Sequence, residues 1–305
     1  RLKKIIMFKF PPKIKDGLLS FDIQDKTTRS VTDFYEVEPF PNYSINEDKR
    51  SLLSKGDKNE LSKKLKDLIG LNKSFIEIGS GTSQLSNYLA IGTNNKIIAF
   101  DPTEPALRLG YNFATNNNIN NITFVNADIF DDVLEDNAFD FVWCSGVLHH
   151  TKNPYRGFQI IQKSLKDKGF IFIGLYNKYG RWRTFIRQKL YKVFGPTLIS
   201  LMDPYLRSLD PKTSEQKINS WIRDQYEHPV ETSHTFDEVL NWFDDHDIEF
   251  IDSIPSMNRE DQTISFKKNN LGRENFLSRV LTQFSMIFSK LGGEGGLFIM
   301  VGQKT

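Results

Sequence analysis

The chain has 305 residues, 39% of them hydrophobic, enough to bury the core of one large domain or of a domain with sizeable insertions. Its 40 basic and 38 acidic residues leave a formal charge of +2, so no global field draws it to nucleic acid or an anionic membrane, and any basic function must be local. Cys144 is the one cysteine, which excludes an intrachain disulfide, argues against a thiolate metal cage and fits a reducing cytoplasm, and no apolar run approaches the roughly 18 residues of a membrane span.

The chain opens on Arg1 without a methionine, which leaves room for a short upstream piece. Residues 1 to 70 show no strand–helix rhythm and form an expected N-terminal lid or cap. From 71 to 175 short apolar runs alternate with helical patterns, the rhythm of an open α/β sheet. The expected strands are Phe75 to Ile78, Lys96 to Phe100, Ile122 to Val125, Phe139 to Cys144 and Gly169 to Leu175. Helical spacing fills the gaps at Gln84 to Ala90, Pro105 to Asn116 and Pro154 to Leu165. Residues 176 to 234 interrupt the rhythm as a helical cap. Residues 235 to 305 complete the core with a helix at Phe236 to Asp244, strands at Glu249 to Ile254 and Gly296 to Gln303, and a second insertion at 257 to 296.

The first strand runs into "FIEIGSGTSQLSNYLA", where Gly79 and Gly81 let a ligand approach the backbone and the next helix points its N–H groups at it. A dinucleotide fingerprint wants a third glycine where Gln84 stands. The acids are more telling. Glu77 precedes the turn, Asp101 ends the second strand and Asp128 follows the third, so three carboxylates gather at the edge where ligands of such sheets bind. A ligand with a cationic amine, a ribose diol and an adenine amine has a use for all three, and S-adenosylmethionine carries that set.

At "EIGSGT", "FDPTEPAL", "NADIF" and "FDFVWCSGVLHHTKNP" the chain resembles the class I S-adenosylmethionine-dependent methyltransferases, and "GLFIMVGQK" is similar to their antiparallel last strand. The resemblance implies an α/β, Rossmann-like sheet of seven strands, mostly parallel with an antiparallel last strand, plus helical N-terminal and insertion segments. It departs at Ser83, where many members have a third glycine. By the same resemblance Gly79, Ser80, Gly81 and Thr82 wrap the methionyl part with Glu77 near its ammonium. Asp101 accepts the ribose hydroxyls beside Pro102 and Thr103, and Asp128 accepts the adenine amine with Ile129 against the ring. Ser145, Gly146 and Val147 line the floor.

"FYEVEPFPNY", residues 34 to 43, resembles a bacterial subgroup of uncharacterised methyltransferases with an N-terminal lid and insertions after strands five and six. Either Tyr35 or Tyr43 faces the site as part of a lid, or the segment is an aromatic clamp that packs the N-terminal helix on the sheet. After strand five, Trp182, Phe185, Ile186, Leu190, Val193 and Phe194 recur on one helical face among lysines and arginines. The residues from 181 to 194 read as a cap helix with its apolar face inward and a solvated basic face, or as a peripheral membrane contact.

Candidate catalytic residues cluster at the acceptor side. "DQYEHPVETSHTF" brings Gln225, Tyr226, His228, Glu231 and His234 close together, suiting an acceptor wall or a general base in His228 or Glu231. A plainer reading makes Thr235 a helix cap with Glu238 completing a capping box. Tyr176 and Asn177 stand at a strand's carboxyl end, and His149 or His150 follows strand four near the expected methyl group. The spacing of His228, Glu231 and His234 is irregular, and no metal is expected.

Three functions remain open. One is methyl transfer to an oxygen, sulfur or nitrogen of a small-molecule acceptor such as a thiol, a sugar, a lipid head group or a natural product. A second is a nicotinamide-dependent oxidoreductase, opposed by Gln84 and Asp128, and a third a non-catalytic S-adenosylmethionine-binding partner subunit. Nucleic acid is disfavoured as acceptor by the near-neutral charge.

Overall fold

The computed structural model describes residues 7–23, 25, 28–30, 32–33, 43, 47–210, 215–228, 230–257, 266, 273, 275–288 and 296–305. The strands are β1 (Lys13–Lys15), β2 (Leu18–Ser20), β3 (Ser74–Ile78), β4 (Lys96–Asp101), β5 (Ile122–Asn126), β6 (Phe139–Ser145), β7 (Leu165–Tyr176), β8 (Ile248–Ile254) and β9 (Leu297–Lys304). They form one sheet in the order β1-β2-β5-β4-β3-β6-β7-β9-β8. The helices are α1 (Lys49–Lys58), α2 (Glu60–Ile69), α3 (Gln84–Ala90), α4 (Glu104–Asn116), α5 (Pro154–Ile161), α6 (Trp182–Met202), α7 (Pro204–Ser208), α8 (Glu215–Ile222), α9 (Phe236–Asp244) and α10 (Phe276–Ser285).

From β5 to β7 the strands are parallel, and β9 runs antiparallel between β7 and β8. Helices cover both faces, so alternate residues of one strand enter different cores. Ile76, Ile78, Ile98, Phe100 and Val142 join one buried cluster, and Phe75, Ile97, Ala99, Phe141 and Trp143 the other. Each large side chain buried this way contributes about 1.5–3 kcal/mol of transfer free energy. Because Ile78 pairs with both Phe100 and Cys144, and Ser145 with Gly174, the carboxyl ends of β4, β3, β6 and β7 come level at one edge.

Among the described residues nine strands, not seven, make the sheet. The expectation that residues 1 to 70 lie outside it is corrected by β1 and β2, a hairpin whose second strand pairs parallel with β5 through Leu19 and Val125. Asp16 (φ 48°) and Gly17 (φ 84°) form its two-residue turn, in the left-handed conformations that such a hairpin requires. A Cβ on Gly17 would meet the Tyr111 hydroxyl at 2.2 Å. Two smaller differences occur in the core. The helix expected from 154 to 165 stops at Ile161, and β7 starts at Leu165, before Gly169. At α9, Thr235 caps the helix by accepting from Glu238 N (3.2 Å), but the Glu238 carboxylate takes the His234 ring (2.9 Å) instead of completing a capping box.

Candidate active site

The turn after β3 is built by backbone geometry. Gly79 has φ 70°, and its N–H and that of Ser80 both donate to the Phe100 carbonyl on β4 (2.8 and 3.1 Å). A Cβ at Gly79 would stand 2.1 Å from Val147 Cγ2, so the turn and the loop after β6 pack together with no room for a side chain. Ser83, also left-handed at φ 60°, begins α3.

Each of the three acids is anchored to a nearby turn. Glu77 Oε2 accepts from Ser86 N (3.0 Å) and Ser86 Oγ (2.5 Å). Burial pushes its carboxyl up to about 8, against those two hydrogen bonds and with help from the charge of Asp101. Asp101 Oδ2 accepts from Gly81 N and its Oδ1 from Thr103 N, both at 2.8 Å, and burial raises its pKa too. Asp128 Oδ1 accepts from Phe130 N (3.0 Å) and the Thr28 side chain sits against the carboxylate, while Oδ2 is buried with no partner within hydrogen-bond distance among the described residues. Burial is again the main cause that raises its pKa.

A cavity of about 510 Å³ runs along this edge. Glu77, Gly79, Ser80, Gly81, Asp101, Pro102, Thr103, Asp128, Ile129, Ser145, Gly146 and Val147 all line it. Thr82 does not: it is fully buried behind the turn, where its carbonyl accepts from the Tyr43 hydroxyl (2.9 Å). Tyr43 also accepts from Asn87 Nδ2 (2.9 Å) and stacks on Phe113, so it clamps the turn from behind and does not border this cavity. Tyr35 lies outside the described residues.

At the other side of the cavity stand His150 and Tyr176. His150 Nδ1 lies 2.9 Å from the Val230 carbonyl, which can only accept, so Nδ1 carries the proton and Nε2 is the free base. Burial lowers this imidazole to about 4. The Tyr176 hydroxyl accepts from Gln225 Nε2 (3.2 Å), and the Arg181 guanidinium lies 3.8 Å over its ring.

The structure brings the 225–234 segment against this wall but keeps its acid–base groups out of the cavity. Glu231 is held by Arg181 in a two-point ion pair, Nε–Oε1 at 3.2 Å and Nη2–Oε2 at 2.5 Å. His228 stacks on the far side of His150 at 3.7 Å, and its Nδ1 accepts from Val230 N (3.2 Å). His149 is wholly buried between His150 and Tyr176, with ring centroids 4.2 and 4.0 Å away. Burial drives its pKa well below the usual range, and neither ring nitrogen has a hydrogen-bond partner among the described residues. None of these three residues borders the cavity, whereas His150 does.

Some lining residues are not among those the sequence singles out. Thr28, Lys152 and Leu297 border the cavity, and Lys152 forms an ion pair with Asp25 beside Asp128, so Asp25 and Thr28 stand at the site, nearer the chain start than "FYEVEPFPNY". Lys55, Asn59 and Ser62 of α1 and α2 line it as well. Their distance from the sheet in sequence hides them.

The sheet order, the antiparallel β9 and the glycine turn at the carboxyl edge are those of a class I S-adenosylmethionine-dependent methyltransferase. A family model described as "methyltransferase domain" matches residues 70–225, and the chain belongs to that family. Among solved structures it is similar to PKMT2 from Rickettsia typhi in complex with AdoHcy, with a TM-score of 0.55, 15% identity and coverage of 80% of this chain and 52% of that one. It is also similar to geranyl diphosphate C-methyltransferase from Streptomyces coelicolor A3(2), in complex with Mg2+, geranyl diphosphate and S-adenosyl-L-homocysteine (TM-score 0.52, 11% identity, coverage 92% and 99%). At such identities the likeness is one of fold. An uncharacterized protein of Synechococcus sp. is 28% identical over 109 residues, 35% of this chain and 26% of that protein. The chain therefore matches about a quarter of that curated relative and about half of the Rickettsia chain. The family sets aside the nicotinamide reading.

Proposed function

We propose that the protein transfers the methyl group of S-adenosylmethionine to an oxygen, sulfur or nitrogen atom of a small-molecule acceptor. The observation that carries this reading is one cavity bordered by Glu77, Asp101 and Asp128 on one side and by His150 and Tyr176 on the other. Its volume suits a cofactor-sized ligand. The donor set fits the cofactor: a buried carboxylate oxygen of Asp128 lacks a donor, and an adenine amine is one. Each Asp101 oxygen already accepts one backbone N–H and keeps a lone pair for a ribose hydroxyl. Glu77, proton-bearing when alone, gains from a cationic ammonium nearby.

In this reading Pro102 and Thr103 shape the ribose edge, Ile129 meets the adenine face, and Gly79, Ser80 and Gly81 wrap the methionyl part, with Thr82 bracing the turn from behind. Ser145, Gly146 and Val147 form the floor. The cofactor supplies an electrophilic methyl group on a sulfonium. The chain contributes position, by holding an acceptor against Tyr176 with water excluded. It also takes up a proton: a protic acceptor loses it as the new bond to carbon forms, and the unprotonated Nε2 of His150, a residue of the cavity wall, can receive it. The buried thiol of Cys144, raised by burial, agrees with a cytoplasmic location.

Incubation with methyl-labelled cofactor and a small-metabolite extract should yield a labelled small molecule, whose structure distinguishes thiol, sugar, lipid head group and natural product. His150→Gln should then lower turnover about a hundredfold if the acceptor is protic, with affinity for S-adenosylhomocysteine unchanged. Tight S-adenosylhomocysteine binding without labelled product from any extract would instead support the non-catalytic partner subunit.

A further inference from the structure

Two inserted helices turn several polar residues inward and leave large apolar residues exposed, although Leu190 and Ile199 of α6 pack inward on Ile222 and Tyr226. On α6, Thr184 is buried, Arg187 reaches the Tyr226 hydroxyl (3.2 Å), and Gln188 donates to the Gln225 carbonyl (2.9 Å). On the outer side Trp182, Phe185, Ile186, Val193 and Phe194 are between 43% and 73% exposed. α10 repeats the inversion. Its buried Gln283 accepts from Asn177 Nδ2 and Phe236 N, both at 3.0 Å, while Phe276, Leu277 and Phe284 are between 46% and 65% exposed. The helices adjoin where Tyr179, just before α6, packs on Phe284 with ring centroids 4.8 Å apart. The sequence pattern leaves open whether the apolar stripe of α6 faces the protein or a membrane, and the structure exposes Trp182, Phe185, Ile186, Val193 and Phe194 while Leu190 packs inward.

We propose that this face docks on the surface of an anionic lipid bilayer. Contiguous apolar surface rimmed by polar groups marks an interaction site in a soluble chain. Its charge selects the partner. Lys178, Arg183, Lys189 and Lys192 are exposed around the aromatic residues, and no Asp or Glu stands between Asp167 and Asp203. The Lys189 ammonium lies 4.5 Å over the Phe185 ring, so its stem follows the apolar surface while its head stays at the rim. Acids near the two helices are engaged, Glu227 by the Tyr191 hydroxyl and Asp237 by Arg279, and aromatic and aliphatic residues with an excess of cations around them are the composition of a helix lying in a membrane interface. A second copy would meet the same cationic fringe and be repelled. The proposal rests neither on the acceptor nor on methyl transfer.

Sedimentation of the full chain with vesicles tests it. The protein should pellet with phosphatidylcholine vesicles containing phosphatidylglycerol, remain in solution with phosphatidylcholine alone, and be released by salt. Phe185→Glu/Val193→Glu should abolish pelleting while melting temperature and S-adenosylhomocysteine affinity stay unchanged. Lys189→Glu/Lys192→Glu, which leaves the apolar residues in place and serves even if the first pair misfolds, should weaken partitioning about fivefold or more per residue. Trp143, Trp221 and Trp242 are buried, so a blue shift on adding anionic vesicles should come from Trp182 and vanish in Trp182→Phe. The proposal is overturned by the absence of binding to anionic vesicles, by binding that both charge variants leave unchanged, or by a solution dimer that Phe185→Glu/Val193→Glu dissociates.

Discussion

Around the glycine turn the acids reach partners close in the chain: Asp101 and Asp128 each bond an amide two residues on, Glu77 bonds Ser86 nine residues on, and Asp101 reaches back twenty to Gly81. On the opposite wall the corresponding bonds span far more chain. Arg181 meets Gln225 across 44 residues and Glu231 across 50, Gln225 meets Tyr176 across 49, and His150 meets Val230 across 80. The first region is preorganised by its own backbone and keeps its shape wherever the sheet forms. The second exists only when the 176–234 insertion has folded back, and it is held by buried polar side chains whose loss leaves charges unpaired.

The largest expected effect breaks the second region alone. Arg181 is 4% exposed and Glu231 18% at the side chain, so Arg181→Met should cost about 3 kcal/mol of stability by stranding the carboxylate. Arg181→Met/Glu231→Leu should recover at least half of that in denaturant melts, because no charge is then left alone. Affinity for S-adenosylhomocysteine should stay within about threefold of the parent in both variants, a margin below 1 kcal/mol. A loss comparable to that from changing Asp101 would show that the two regions are one.

Asp101→Asn attacks the first region. An amide oxygen can replace one carboxylate oxygen, but the NH2 group then points at the N–H of Gly81 or Thr103, donor against donor. Calorimetry should show S-adenosylhomocysteine binding weakened by about 2 kcal/mol, roughly thirtyfold, from the lost charge-assisted bonds and the loosened turn. Unchanged affinity would remove the ribose role.

The same contrast explains what could be read from the sequence. Strands β3 to β7 and helices α3 to α5 follow from periodicity, and Gly79, Ser80 and Gly81 border the cavity because the turn is local. The β1–β2 hairpin is too short for periodicity, yet "KIKDGLLS" carries an Asp-Gly turn between apolar residues, and that signal was available. No comparable signal exists for Arg181 and Glu231: one reads as part of a basic helix, the other as a candidate base, and only the fold pairs them. Choosing between His149 and His150 required knowing which ring the loop buries, a fact set by Val230 and Thr232 from a distant segment.

The two regions should also respond to pH in opposite senses. Glu77 rises from the ordinary 4.5 to about 8, so the unliganded protein enjoys its contribution at low pH and loses it as pH climbs through about 8. His150 falls from the ordinary 6.5 to about 4, so its contribution is complete above 6.5 and is lost as pH drops through about 4. Each slope is at most about 1.4 kcal/mol per pH unit. Melting curves should show Glu77→Gln flattening the decline between pH 5 and 8, and His150→Gln flattening the one below 6.5. A cationic cofactor favours ionised Glu77, so S-adenosylmethionine binding should release a proton near pH 7 and tighten up to pH 8. Calorimetry in buffers of different ionisation enthalpy reads that proton, and no release would mean that Glu77 does not feel the ligand's charge.

The smallest effect isolates backbone strain inside the first region. Ser83 takes a left-handed conformation at φ 60° and ψ 33°, where a Cβ costs about 1 kcal/mol relative to glycine. Its hydroxyl lies 3.1 Å from the Ser80 hydroxyl in a buried pair that offsets part of that cost. Two variants separate the terms. Ser83→Ala keeps the Cβ and loses the hydrogen bond, so it should destabilise by about 1 kcal/mol. Ser83→Gly loses the bond and relieves the strain, so it should fall near the parent, within about 0.5 kcal/mol, and the difference between the two variants measures the strain. S-adenosylhomocysteine affinity should follow the same order with smaller steps, since the turn's N–H directions are fixed by the Phe100 carbonyl as well. If Ser83→Gly proves as costly as Ser83→Ala, the turn is unstrained at this position, and the hydroxyl pair rather than the backbone holds the start of α3.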